Sequence, residues 1–154
     1  MTSDNRALIE NFYRAFGRRD GTAMGLCYTP DARFRDPVFE LSGERIGLMW
    51  RMLTERGKDL RVEFANVVAD DATGSADWQA WYGFSKTGRQ VLNVIRARFR
   101  FRDGLIVEHV DDFDFWRWSR QAFGTAGLLL GWTPVLRNKV RAEAMKGLDA
   151  YASR

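Results

Sequence analysis

The chain has 154 residues, enough for one domain over 1–154 with a sizeable core, and 45% of them are hydrophobic and 14% aromatic, which excludes a disordered chain. The formal charge of +4 comes mostly from arginines scattered without a basic run or zinc-ligand spacing, so acidic partners are permitted, while no nucleic acid, metal or other cofactor is expected. The single cysteine, Cys27, rules out an intramolecular disulfide, the N-terminus has no basic-then-apolar leader, and the longest apolar run, residues 126–132, is far too short to span a bilayer. A cytoplasmic protein with no membrane partner is expected.

Ser3 or Asp4 caps a first helix over residues 4–17, in which Ala7, Leu8, Phe12, Ala15 and Phe16 recur at helical spacing and Gly17 is the stop. Asp20 caps a shorter helix carrying Met24, Leu26 and Cys27, closed by the turn Thr29-Pro30-Asp31, and Cys27 reads as a buried, inert thiol. Residues 32–41 form a short strand broken at Asp36-Pro37, because proline cannot donate to a ladder. Glu44 to Thr54 is a third helix with Ile46, Met49, Trp50 and Leu53 on its apolar side.

From Leu60 the period changes to two. Strands are predicted near 60–69, 75–86, 90–102 and 105–116, joined by short turns that imply an antiparallel meander. In the third, Arg96, Arg98, Arg100 and Arg102 alternate with Ile95, Ala97, Phe99 and Phe101, the pattern of a sheet with one solvated face. In the fourth, strict alternation puts Leu105, Val107, His109, Asp111 and Phe113 on one side and Ile106, Glu108 and Val110 on the other. The only histidine thus shares a face with a carboxylate that can orient its ring; a satisfied structural pair is the bland alternative.

Residues 119–154 form a C-terminal extension. Phe123, Leu128, Leu129, Leu130 and Trp132 are too apolar for a tail and should lid a pocket or meet another subunit. A final helix follows from Pro134 to about Tyr151, with Val135, Val140, Ala144 and Leu148 spaced for packing.

Asp20 opening helix two, the Asp36-Pro37-Val38 stretch, the Gly88-Arg89 turn leading to Phe99-Arg100-Phe101, and His109-x-Asp111 together resemble the nuclear transport factor 2-like superfamily over residues 4–116. Within it the chain looks most like the ketosteroid isomerase and SnoaL-like polyketide cyclase branches. The resemblance implies an α+β fold: a cystatin-like cone of three N-terminal helices on a strongly curved antiparallel sheet, plus the C-terminal helix. It also places Asp36 where ketosteroid isomerases keep a proton-shuttling carboxylate, and Phe12 and Ala97 where they keep two oxyanion donors, which are therefore absent here. The aspartate–arginine–aspartate arrangement of limonene-type epoxide hydrolases has no clear counterpart.

The expectation is an enzyme that abstracts a proton beside a carbonyl, isomerising or cyclising a small hydrophobic or aromatic molecule. Asp36 is the base, and His109 and Asp111 are a polar pair that orients or protonates the substrate. Phe12, Trp50, Tyr82, Phe84, Phe99 and Phe113 would line the pocket. A homodimer is expected from the sheet's outer face, where Trp81, Ile106 and Val110 need cover. The alternative is a non-catalytic ligand-binding or dimerisation module of the same fold, with Asp36 only satisfying backbone donors in its turn.

Overall fold

The switch from helical to alternating apolar spacing near residue 60 divides the chain as its sequence predicts. The structure, a computed structural model, describes residues 2–154, with side chains from Asp4 onward. Helix α1 runs Thr2–Gly17 and buries Ile9, Phe12, Tyr13 and Phe16. It starts before the expected caps: Asp4 lies in its first turn, favourable for a negative charge, and the side chain of Ser3 lies outside the described residues. Helix α2, Gly21–Gly25, is capped as expected by Asp20, whose carboxylate accepts the Ala23 N–H at 3.0 Å. A Cβ at Gly21 would lie 2.6 Å from the Arg51 Cα, so glycine lets α2 dock on α3, Glu44–Arg56.

The strands are β1, Tyr28–Arg35; β2, Glu40–Ser42; β3, Arg61–Ala69; β4, Thr73–Gly83; β5, Gln90–Arg102; and β6, Leu105–Asp112. They form one six-stranded sheet in the order β2-β1-β6-β5-β4-β3. The meander β3–β6 is antiparallel, and β1 pairs with β6 in parallel, with Phe34 opposite His109. One face holds Phe34, Ala76, Trp78, Ala80, Ile95, Ala97 and Phe99 in the core under α1 and α3, giving the cone expected for the family. On the other, the arginine row is solvated and paired: Arg98 to Asp112 at 2.8 Å, Arg100 to Glu108 at 3.4 Å and Arg102 to Asp31 at 2.5 Å.

Three expectations about the strands are corrected. Thr29, Pro30 and Asp31 do not close α2; they lie inside β1, where the register with β6 shifts between Tyr28 and Arg33 and a residue without an N–H is tolerated. Strict alternation fails in β6, because its register against β5 shifts between Arg100 and Phe101, turning Ile106 into the core on the same side as His109. Ile106 therefore needs no partner subunit to cover it. Finally, β6 ends at Asp112 rather than near 116. The Asp114 side chain accepts the Arg117 N–H at 3.1 Å and starts α4, Phe115–Phe123, and this cap takes over residues that alternation assigned to the strand.

Helix α5, Thr125–Leu130, and helix α6, Pro134–Ala152, complete the extension. Phe115, Trp118 and Ala122 of α4 form a second apolar cluster with Val91, flanked by Val38, Tyr82, Phe84, Phe113, Phe123 and Val140. In α6 Leu148 is fully buried, but Val135 points to solvent rather than packing as its spacing suggested. Burial pushes the Cys27 thiol up to about 11, consistent with an inert side chain. No helix among the described residues is long and apolar enough to cross a membrane.

Candidate functional site

Parallel pairing of β1 with β6 sets the geometry. Arg35 lies opposite Val110, which brings Asp36, the next residue, within reach of the Asp111 charge. Beyond Arg35 the chain turns: the Asp36 N–H donates to the Phe39 carbonyl at 2.9 Å, and Asp36 Oδ1 accepts the N–H groups of Val38 at 2.7 Å and Phe39 at 2.6 Å. Oδ2 makes no hydrogen bond with the described residues. Desolvation raises the Asp36 pKa from 3.8 to about 7, with a further push from the Asp111 charge, against the opposing backbone hydrogen bonds and Arg141. Arg141 itself reaches the turn by donating to the Pro37 carbonyl at 2.8 Å.

His109 is fully buried and held at both ring nitrogens. The Trp50 indole N–H donates to the Tyr28 hydroxyl at 3.0 Å, that hydroxyl meets His109 Nδ1 at 2.7 Å, and His109 Nε2 meets Asp111 Oδ1 at 2.8 Å. One arrangement satisfies every member: Tyr28 donates to Nδ1, and the Nε2–H of a neutral imidazole donates to an ionised Asp111. The Trp78 indole adds a longer contact to the same oxygen at 3.4 Å. Aromatic rings enclose the imidazole, Phe99 at 4.4 Å and Phe34 at 5.0 Å between centroids, with Phe12, Trp50 and Tyr28 behind. Beside this network the Tyr13 hydroxyl is buried with no hydrogen-bond partner among the described residues; burial, then the Asp111 charge, raise its pKa.

The six expected lining residues divide in two. Phe12, Trp50 and Phe99 pack directly around His109, whereas Tyr82, Phe84 and Phe113 gather around Trp118 beneath α4, next to Val38 of the Asp36 turn. The Tyr82 hydroxyl accepts the Trp118 indole N–H at 2.6 Å, and its own proton has no acceptor among the described residues. Burial pushes Tyr82 up to about 12, and the Asp36 charge adds to the rise. Two surface grooves of about 780 and 440 Å³ lie across β3–β6 and along β2-β1-β6; of the six, Phe113 alone borders either.

Sequence reasoning missed Tyr28, Trp78, Trp118 and Arg141. Local signals put Tyr28 at the end of a helix, and its partner lies 81 residues away, so only the strand pairing could reveal it. Among the described residues no group of three or more acidic, histidine or cysteine side chains is arranged to hold a metal.

A family model for the SnoaL-like domain matches residues 9–109. Among solved structures, an epoxide hydrolase of the limonene epoxide hydrolase-like type from M. tuberculosis superposes with a TM-score of 0.66 at 20% identity, covering 83% of this chain and 94% of that one. A candidate polyketide cyclase from Xanthomonas campestris gives 0.65 at 19% identity, with 79% and 98% covered. A protein of ketosteroid isomerase-like fold from Catenulispora acidiphila, in complex with trimethylamine, gives 0.67 at 13% identity, with 82% and 97% covered. At these identities the likeness concerns the fold. A comparison with curated proteins returns no match.

Proposed function

From the premise that the chain belongs to the SnoaL-like domain family, we propose that it transfers a proton at a carbon beside a carbonyl of a small hydrophobic molecule, with Asp36 as the base. The observation that carries this reading is the half-satisfied Asp36 carboxyl: Oδ1 is fixed by two backbone N–H groups, while Oδ2 has no partner among the described residues. A pKa near 7 matches a base that both takes and returns a proton near neutral pH.

In this scheme Asp36 Oδ2 takes the proton, the C–H electron pair moves into an enolate, and the negative charge falls on the former carbonyl oxygen. Tyr82, protonated at neutral pH and with its O–H uncommitted, donates to that oxygen; one such donor is typically worth about 3–4 kcal/mol in the transition state. Returning the proton to a different carbon isomerises the substrate; alternatively the enolate carbon attacks a second carbonyl, closing a ring, and the alkoxide formed there takes the proton back from Asp36. Phe84, Phe113 and Trp118 are the apolar surround in this reading. His109 acts through Asp111, holding that carboxylate as the second charge that raises the Asp36 pKa.

Deuterium wash-in tests the scheme even while the natural substrate is unidentified: ring-bearing enolisable ketones are incubated with the protein in deuterated water and weighed by mass spectrometry. Exchange by wild type and its loss in Asp36→Asn support the reading; exchange that Asp36→Asn leaves intact removes it. The competing reading, a binding module, draws on the His109 imidazole being engaged at both nitrogens, and saturable ligand binding with no exchange would favour it. The reading includes a homodimer through the outer sheet face, where Val94 is exposed, and light scattering at micromolar concentration checks it.

A further inference from the structure

The corner formed by α5 and its neighbours carries apolar side chains that the core does not use. Gly127 seats α5 directly on α4: a Cβ there would lie 1.9 Å from the Ser119 carbonyl oxygen. The Trp116 indole N–H ties the two helices together by donating to the Leu128 carbonyl at 3.1 Å. With that side pinned, Leu128, Leu129 and Leu130 face outward, Leu129 at 63% exposure, followed by Trp132 at 74% and Val135. Three consecutive helical positions sweep roughly 200° of the helix, so the leucines form a protruding apolar knob rather than a stripe.

Along the sequence on either side of the knob the charge has one sign. From Phe115 to Ala142 the sequence holds Arg117, Arg120, Arg137, Lys139 and Arg141 and no acidic residue. None of these five forms an ion pair with another described residue; Arg141 is turned to the Pro37 carbonyl, Arg120 lies over the Trp116 ring and Arg137 over Phe115. We propose that this corner docks on an anionic lipid surface, with the leucines and Trp132 entering the headgroup boundary and the flanking cations resting on lipid phosphates and carboxylates. A helix of this kind lies on a bilayer without crossing it.

Two features favour lipid over protein. A knob exposed on several sides requires a matching cavity in a folded partner, whereas a fluid bilayer adapts to any shape. A symmetric contact with a second copy would bring the same unpaired cations face to face. Indole and leucine side chains beside arginine and lysine are the combination that settles at a lipid–water boundary.

The test uses the full chain with vesicles of phosphatidylcholine alone and of phosphatidylcholine with phosphatidylserine, read by flotation and by tryptophan quenching with brominated lipid. The expected result is binding to the anionic vesicles only, weakened by salt. Leu129→Gln and Trp132→Gln should each weaken it about tenfold, and Arg137→Gln and Lys139→Gln roughly fivefold each. All four side chains are exposed, so the variants keep the wild-type melting profile. Failure to float with anionic vesicles overturns the proposal, as does binding that survives Leu129→Gln with Trp132→Gln. So does the absence of vesicle binding alongside a dimer that the same double variant dissociates, which assigns the corner to a second copy.

Discussion

His109 lies in β6 and Asp36 in the turn just beyond the adjacent β1, yet their polar atoms are used differently. Around His109 the Trp50 indole, the Tyr28 hydroxyl and both ring nitrogens have partners and aromatic rings fill the remaining space, while Asp111 engages one oxygen, Oδ1, among the described residues. At Asp36, one oxygen accepts two backbone N–H groups and the other accepts none from the described residues. A buried imidazole engaged at both nitrogens fixes a core. A carboxyl that is desolvated but half-satisfied keeps capacity for chemistry, and in this account the reaction belongs to the second region while the first holds it in place.

The largest effect that could break this contrast is catalytic. Asp36→Asn keeps an oxygen for the Val38 and Phe39 N–H groups but removes the proton acceptor, so deuterium wash-in should fall by about 10²–10⁴ with the melting transition unchanged or raised. Next comes stability in the sealed region. His109→Ala takes a hydrogen-bond partner from both Asp111 and the Tyr28 hydroxyl and leaves a cavity among the core rings, and should cost about 3–5 kcal/mol in urea melts; a loss under about 1 kcal/mol would mean that the network does not hold the core.

Asp36→Ala, unlike Asp36→Asn, strips both backbone donors of their acceptor and should destabilise by about 1–3 kcal/mol. The two substitutions at one site thereby separate the turn-holding role from the proton-transfer role. The pH dependence has a definite sign. Because folding raises the Asp36 pKa from 3.8 to about 7, the folded state holds the proton more tightly, and its contribution is complete below the unfolded value of 3.8 and lost as pH rises through about 7. The stability of wild type relative to Asp36→Asn should therefore decline across that window, as read by urea melts at each pH. Smallest of all, Arg98→Ala on the solvated face should change stability by less than about 1 kcal/mol, since its ion pair with Asp112 is exposed.

Most of the fold was legible because its signals are local: the Asp20 cap, the stop at Gly17, the proline after Asp36 and the alternating arginines each specify structure within a few residues. The register shift in β6 was not, because it depends on how β5 pairs rather than on the composition of β6, and it reversed the side assigned to Ile106. At the site, the His109–Asp111 pair followed from spacing along one strand, whereas Tyr28 required two strands to meet in parallel. Asp114 can end a strand or cap a helix on its sequence alone, and it is the start of the helix that brings Trp118 to Tyr82.

The most direct measurement is a carboxyl-carbon NMR titration of Asp36, assigned by comparison with Asp36→Asn. The account predicts a midpoint near 7, the consequence of a desolvated carboxyl with the Asp111 charge adding to the rise. A midpoint at or below the ordinary aspartate value of about 4 would make Asp36 an ionised turn-holder, and the proton-transfer account would fail with it.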